Sequence, residues 1–135
     1  MPAVLFVCVE NSCRSQMAEG FARNLAGPGW TVASAGSRPA GSIHPRVAAF
    51  MREMGIELAS QRSKGLEEIP STSWDAVVTL GCGDACPHVP ARLKLDWDLP
   101  DPKDLPDGEF RRVRDEIRRR VGDLFRELTG PATKS

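Results

Sequence analysis

The sequence predicts a single-domain, three-layer α/β/α fold around a four-stranded parallel sheet, covering residues 1–135 with 129–135 as a flexible tail. Three observations lead to it. Short apolar runs suited to buried strands alternate with stretches whose apolar residues recur at helical spacing. Glycine and proline sit between the runs as punctuation. The chain has 135 residues, 41% of them hydrophobic and 27% charged, which suffices for one core and is ordinary for a globular domain.

In chain order, Ala3 to Val9 is an apolar strand and Ser15 to Leu25 a helix. The Gly27-Pro28-Gly29 turn leads into Trp30-Thr31-Val32-Ala33-Ser34-Ala35, a second strand. Pro45 opens a helix that runs to about Met54, with Val47, Phe50, Met51 and Met54 on one face and Gly55 as its stop. A short helix is expected over 63–68, ended by Pro70. Trp74 to Leu80 holds Ala-Val-Val-Thr-Leu, a buried strand, and Leu93 to Trp97 a short fourth one. Residues 99–108 contain three prolines and form a loop. Glu109 to Leu128 is the last helix, with Phe110, Val113, Ile117, Val121, Leu124 and Leu128 as its apolar stripe. Helices belong on both faces of such a sheet, joined by right-handed crossovers, and ligands bind beyond the carboxyl ends of its strands.

Charge excludes some functions. Eighteen basic residues balance eighteen acidic ones, which argues against a general nucleic-acid or membrane-surface binder. The seven arginines from Arg111 to Arg126 do not reverse this. Arg111–Asp115, Arg112–Glu116, Asp115–Arg119 and Glu116–Arg120 are i,i+4 pairs on a wet helix face. The N-terminal apolar run is too short for an export signal or a membrane span, so a reducing cytoplasm is the expected compartment. Four cysteines there point to catalysis, redox exchange or metal rather than a disulfide framework.

The chemistry is concentrated in Cys8-Val9-Glu10-Asn11-Ser12-Cys13-Arg14-Ser15, between the first strand and the first helix. Free N–H groups at a helix N-terminus, together with the helix dipole, favour an anion in the preceding loop. Arg14 adds a planar fork of donors suited to a tetrahedral oxyanion. The same field favours the thiolate of Cys8, a nucleophile. Ser15 is expected to cap the helix, and its hydroxyl can donate to the Cys8 sulfur. The loop lacks the Gly-Lys-Ser/Thr ending of nucleotide-binding loops. Cys8 as a small hydrophobe ending a buried strand is the plainer reading, but it leaves Asn11, Ser12, Arg14 and Ser15 without a joint role. Cys13 lines the loop.

Cys82 should reach the same sheet edge as Cys8, because it follows the third strand closely. In Gly81-Cys82-Gly83-Asp84-Ala85-Cys86-Pro87 the two cysteines are four apart, a spacing that shares a helix face but needs a loosened turn to form a disulfide. Flanking glycines make that rearrangement cheap, and a thiol exchange relay is one reading. A zinc site drawing on Cys82, Cys86 and His88 is another, although a closed site needs four ligands and no second Cys-x2-Cys exists. Inert packing is the third. His44 and His88 are expected at the surface, and Trp97 in the core.

Together these residues resemble the thioredoxin-coupled arsenate reductases, built on the low-molecular-weight tyrosine phosphatase fold. The likeness rests on Cys8, the run from Asn11 to Gly20, Gly29-Trp30, Ser34-Ala35-Gly36, Val77 to Leu80, Cys82, Cys86-Pro87, Trp97, Asp101-Pro102 and Arg112 to Ile117. It spans about Ala3 to Leu128. It implies that Glu10, Asn11, Ser12, Cys13, Arg14 and Ser15 hold arsenate or a phosphate-like oxyanion, that Cys8 attacks it, and that Asp101 moves the proton. It also implies a relay through Cys82 and Cys86, with thioredoxin or a small thiol as external reductant, no tightly bound cofactor, no metal and a monomeric protein. Glu10 stands where the family commonly has glycine and is expected to point outward. Lys64 stands where some members have an acidic residue that helps hold potassium beside Asn11, Glu19 and Ser34, so potassium is not expected. The rival within the superfamily is a tyrosine phosphatase acting through a phosphocysteine at Cys8. Against it, Lys103 rather than an aromatic residue follows Asp101-Pro102, the chain has no tyrosine, and hydrolysis has no use for Cys82 and Cys86.

Overall fold

A computed structural model of the chain describes residues 2–70, 72–81 and 89–134, with side chains through residue 129. The elements are β1 (Ala3–Cys8), α1 (Arg14–Leu25), β2 (Thr31–Gly36), α2 (Pro45–Arg52), β3 (Trp74–Thr79), β4 (Ala91–Asp96) and α3 (Asp107–Lys134), with one 3-10 turn at Leu66–Glu68. The four strands form one parallel sheet in the order β2-β1-β3-β4. The strand order switches between β1 and β3, so the carboxyl end of β1 opens on the crevice where such sheets bind ligands. Cys8 is the last residue of β1 and pairs with Gly36 at the end of β2.

Alternation along β1 divides the core. Val4, Phe6 and Cys8 face one cluster, with Met17 and Phe21 of α1, Phe50 and Met51 of α2, and Phe110, Ile117 and Leu124 of α3. Ala3, Leu5 and Val7 face a second cluster with Ala33, Ala35, Trp74 and Val77. Removing a fully buried side chain such as Leu5, Val7 or Phe6 from water contributes about 1.5–3 kcal/mol. Trp97 is buried in the first cluster, its ring 6.0 Å from that of Phe6, as a core residue. Trp30 stacks on Phe125 at 4.4 Å, and Phe50 on Phe110 at 4.5 Å.

Among the described residues all three α-helices share one face, and the other face carries a 3-10 turn. Leu66 and Ile69 pack on the second cluster from the single 3-10 turn, which occupies the place of the short helix expected over 63–68. Pro70, without an N–H, cannot extend it.

Helix ends follow local chemistry. His44 is the N-cap of α2, its Nδ1 accepting the Arg46 N–H at 3.2 Å, so it is a half-buried cap rather than a free surface residue. α2 closes at Gly55, where φ is +76°. Ile56 N–H donates to Met51 O at 3.1 Å and Gly55 N–H to Arg52 O at 3.0 Å, the paired bonds of a Schellman end. α3 begins two residues earlier than expected, at Asp107, with Asp107 and Glu109 favourably placed in its first turn. Its backbone is helical as far as Lys134, where a tail was expected from residue 129. Pro131 removes one helical bond near the end, but the turn before it is supported by Thr129 Oγ1 donating to Phe125 O at 2.8 Å.

The expected stripe of α3 is buried from Phe110 to Leu124. Of the expected ion pairs, Glu116–Arg120 forms at 2.7 Å. Arg111 reaches instead to Glu53 beyond α2 at 2.8 Å. Arg114, which the stripe pattern does not single out, is buried and binds Glu53 at 2.6 Å and Phe50 O at 3.0 Å. Two guanidinium groups on one carboxylate hold the Glu53 carboxyl down at about 2. Among the described residues no helix is long and apolar enough to cross a membrane.

Candidate active site

The loop after β1 is held from outside by its carbonyl groups. Val9 O accepts from Arg38 N at 2.9 Å, and Glu10 O from Ala40 N at 2.9 Å and Ser63 Oγ at 3.0 Å. Asn11 O accepts from Gln16 Nε2 at 3.0 Å, and Ser12 O from His44 N at 3.1 Å. In a trans peptide the N–H points opposite to its C=O. Four successive carbonyls directed into the protein therefore turn the N–H groups of residues 10–13 to the other side. That is an anion-binding nest at the start of α1. One of these groups, Asn11 N–H, donates to Cys8 Sγ at 3.3 Å. Gly36, beside Cys8 in the sheet, lets the loop pass close by, since a Cβ there would collide with Val9 O.

Asn11 organises the nest. It is fully buried with φ +51°, a left-handed conformation that asparagine tolerates. Its Nδ2 donates to Ser15 Oγ at 2.8 Å and to Ser34 Oγ at 2.9 Å. Its Oδ1 accepts from Gln16 Nε2 at 2.8 Å and from Lys64 N at 2.9 Å. Because Ser15 Oγ accepts from Asn11, its own proton is free for Cys8 Sγ, 2.8 Å away. Ser15 does not cap α1. The N-cap is Cys13, without a side-chain cap bond, and Ser15 lies in the first turn facing the thiol.

The two loop cysteines differ in kind. Cys8 and Cys13 are both free and buried. Burial foremost, and then the charge of Asp101, pushes the Cys13 thiol up to about 11, so it stays protonated near neutrality. Cys8, Val9, Glu10, Ser12, Cys13, Arg14 and Asp101 line a cavity of about 200 Å³, a size suited to a small inorganic anion. Arg14 borders it, with Nη1 donating to Leu99 O at 2.8 Å. Asp101 is exposed on the opposite wall, its Oδ1 accepting from Lys103 N at 3.1 Å. Glu10 is exposed, 3.6 Å from Lys103 Nζ. A larger cavity, about 790 Å³, lies against Trp74 and Ala91 at the opposite strand ends, and among the described residues no cysteine lines it. Chemistry rather than size identifies the site.

Behind the loop lies Glu19, a buried carboxylate. It accepts from Ser34 Oγ at 2.5 Å and pairs with Arg23 at 2.6 Å. Lys64 Nζ stands 3.5 Å from it. Asn11, Glu19 and Ser34 are thus joined as the sequence suggests, with an ammonium group beside them. Gln16 went unrecognised in the sequence. It is fully buried and also donates to Arg62 O at 2.9 Å, and an amide inside the apolar face of α1 was the available signal.

Cys82, Cys86 and His88 lie outside the described residues. Gly81, the residue before Cys82, is described. Its φ is +73°, and a Cβ on it would stand 2.8 Å from Arg14 Nη1 and 2.8 Å from Leu99 O.

The chain is similar to known proteins over almost its whole length. A glutaredoxin arsenate reductase of Synechocystis sp. is 39% identical over 132 residues, covering 96% of this chain and all of the relative. An arsenate reductase solved in its phosphate-binding state superposes with TM-score 0.82 at 38% identity, covering 94% of this chain and 98% of that one. A thioredoxin-dependent arsenate reductase of Corynebacterium glutamicum gives TM-score 0.76 at 35% identity, covering 96% of this chain and 62% of that longer one. Residues 3–133 match the sequence profile of the low molecular weight phosphotyrosine protein phosphatases, and the chain belongs to that family.

Proposed function

We propose that this protein is an arsenate reductase working through Cys8, Cys82 and Cys86 in turn. Arsenate sits in the nest, its charge met by the loop N–H groups and Arg14. Cys8 Sγ bonds to arsenic as an As–O bond breaks, and Asp101 supplies the proton with which that oxygen leaves as water. Cys82 thiolate attacks Cys8 Sγ. The S–As bond breaks with its electron pair passing to arsenic, which departs as arsenite. Cys86 attacks Cys82, freeing Cys8 and forming the Cys82–Cys86 disulfide. An external dithiol reduces that bond.

The observation that carries this reading is the nearness of Gly81, the residue before Cys82 in the chain, to Arg14: a Cβ on Gly81 would stand 2.8 Å from Arg14 Nη1. Whole-length similarity to arsenate reductases supports it. Thioredoxin is our first choice of reductant, on the likeness to the thioredoxin-dependent enzyme. A glutaredoxin route is the second, favoured by the name of the Synechocystis relative. We take the protein to act as a monomer without a bound cofactor, in a reducing cytoplasm where its thiols can be cycled.

The test is NADPH consumption with arsenate and either the thioredoxin or the glutathione–glutaredoxin system. Wild type should turn over, and Cys8→Ser, Cys82→Ser and Cys86→Ser should not. Aryl phosphate hydrolysis should be lost only in Cys8→Ser. Turnover surviving Cys82→Ser would refute the relay. Hydrolysis without any arsenate-dependent turnover would favour the phosphatase.

A further inference from the structure

Two acidic residues border the anion cavity. Glu10 and Asp101 both line it, one from the nest and one from the Asp-Pro loop. The nest was built for an anion, and an arsenate or phosphate near neutrality carries up to two negative charges of its own. Two further negative charges at the mouth would repel it. Lys103 stands between them. Its Nζ is 3.6 Å from Glu10 Oε1, and its backbone N–H holds Asp101 Oδ1 at 3.1 Å. Glu10 first, and Asp101 after it, make the ammonium hold its proton more tightly than usual.

The backbone of Lys103 is anchored. Its carbonyl accepts from Arg46 Nη1 at 2.7 Å, and the same guanidinium donates through Nη2 to Asp107 at 2.9 Å. Arg46 also lies over the Phe110 ring, 4.7 Å from its centre. The loop bearing Asp101 and Lys103 is therefore tied to α2 and α3, and the ammonium stands 3.6 Å from Glu10, which lines the cavity.

We propose that Lys103 is a specificity residue of this pocket, balancing Glu10 and Asp101 so that a small doubly charged oxyanion can enter. Glu10 then has a role besides pointing away from the substrate. It holds the Lys103 ammonium at the mouth, and the pair joins the nest to the Asp-Pro loop. The proposal rests on the oxyanion reading of the cavity, not on the reduction step.

Inorganic phosphate, which is not reduced, is the probe. Its Kd is measured by calorimetry for wild type, Lys103→Met, Glu10→Gln and the double variant, at low and high salt. Lys103→Met should bind phosphate about tenfold more weakly, with the deficit shrinking as salt screens the carboxylates. Adding Glu10→Gln to Lys103→Met should recover most of the affinity, a rescue that a purely structural role for Lys103 does not give. In the arsenate assay the loss from Lys103→Met should fall in KM rather than kcat. An unchanged Kd in Lys103→Met, or a double variant no better than Lys103→Met, overturns the proposal. If wild type shows no arsenate-dependent turnover, the reductase reading fails, while the phosphate affinities still test the charge balance.

Discussion

Replacing Asn11 by alanine should damage the site more than any other change of equal size. The side chain is fully buried and both its donors and both its acceptor positions are used. Three of the four partners have other bonds. Ser15 has Cys8, Ser34 has Glu19, and Gln16 has the Asn11 and Arg62 carbonyls. Lys64 N–H loses the one acceptor seen for it, and a buried backbone donor left unpaired costs about 1–3 kcal/mol. Alanine is also less suited than asparagine to φ +51°, which adds roughly 1 kcal/mol. A stability loss of about 2–4 kcal/mol in urea denaturation is expected from the two together. Ser15 Oγ, no longer accepting from Asn11, is free to turn from Cys8, and misplacement on this scale costs on the order of a hundredfold in kcat/KM. Asn11→Asp keeps both acceptor functions but removes both donors and sets a negative charge near the sulfur. Phosphate binding by calorimetry should weaken in that variant, because the added charge repels an anion in the nest. If Asn11→Ala stays within about 0.5 kcal/mol and twofold of wild type, the nest is not organised through this residue.

Two further outcomes follow from the same geometry. Gly81→Ala must hold φ +73°, at roughly 1–2 kcal/mol, and its Cβ would crowd Arg14 Nη1 and the Leu99 carbonyl. Phosphate affinity should fall about tenfold as Arg14 is displaced, and an unchanged Kd by calorimetry would show that Arg14 is not confined there. Cys13, its thiol held at about 11, should resist iodoacetamide at pH 8 in the native protein while Cys8 reacts, and should react once urea unfolds the chain. Because its folded value is raised, its contribution to stability is complete below its ordinary 9.0 and is lost as pH climbs toward about 11. Peptide mass spectrometry showing equal labelling of both cysteines in the folded state would contradict this.

The strands, α1 and the apolar stripe of α3 were legible because each is written as a local period. Val4, Phe6 and Cys8 alternate with Leu5 and Val7, and Phe110, Val113 and Ile117 recur once per turn. The meeting of Cys8 and Arg14 at one cavity was legible for a related reason, since a strand, a short loop and a helix start fix where the two residues lie. The cap on α1 was misjudged because Ser15 has two competing partners, and burial of Cys8 beside it decides between them. The roles of Gln16 and Arg114 were not legible, because each bonds to backbone or side chains far along the chain.

By itself, then, the sequence determined a parallel α/β sheet whose first strand delivers Cys8 to the loop before a helix start. Those are consequences of local periodicity and of the unpaired N–H groups at a helix end. Only the tertiary structure decided which way the loop peptides face, that Ser15 serves the thiol, and that Lys103 meets Glu10 across the cavity. Each depends on groups distant in sequence, such as Arg38, Ser63 and the Asp-Pro loop, and no local pattern encodes a contact that folding alone creates.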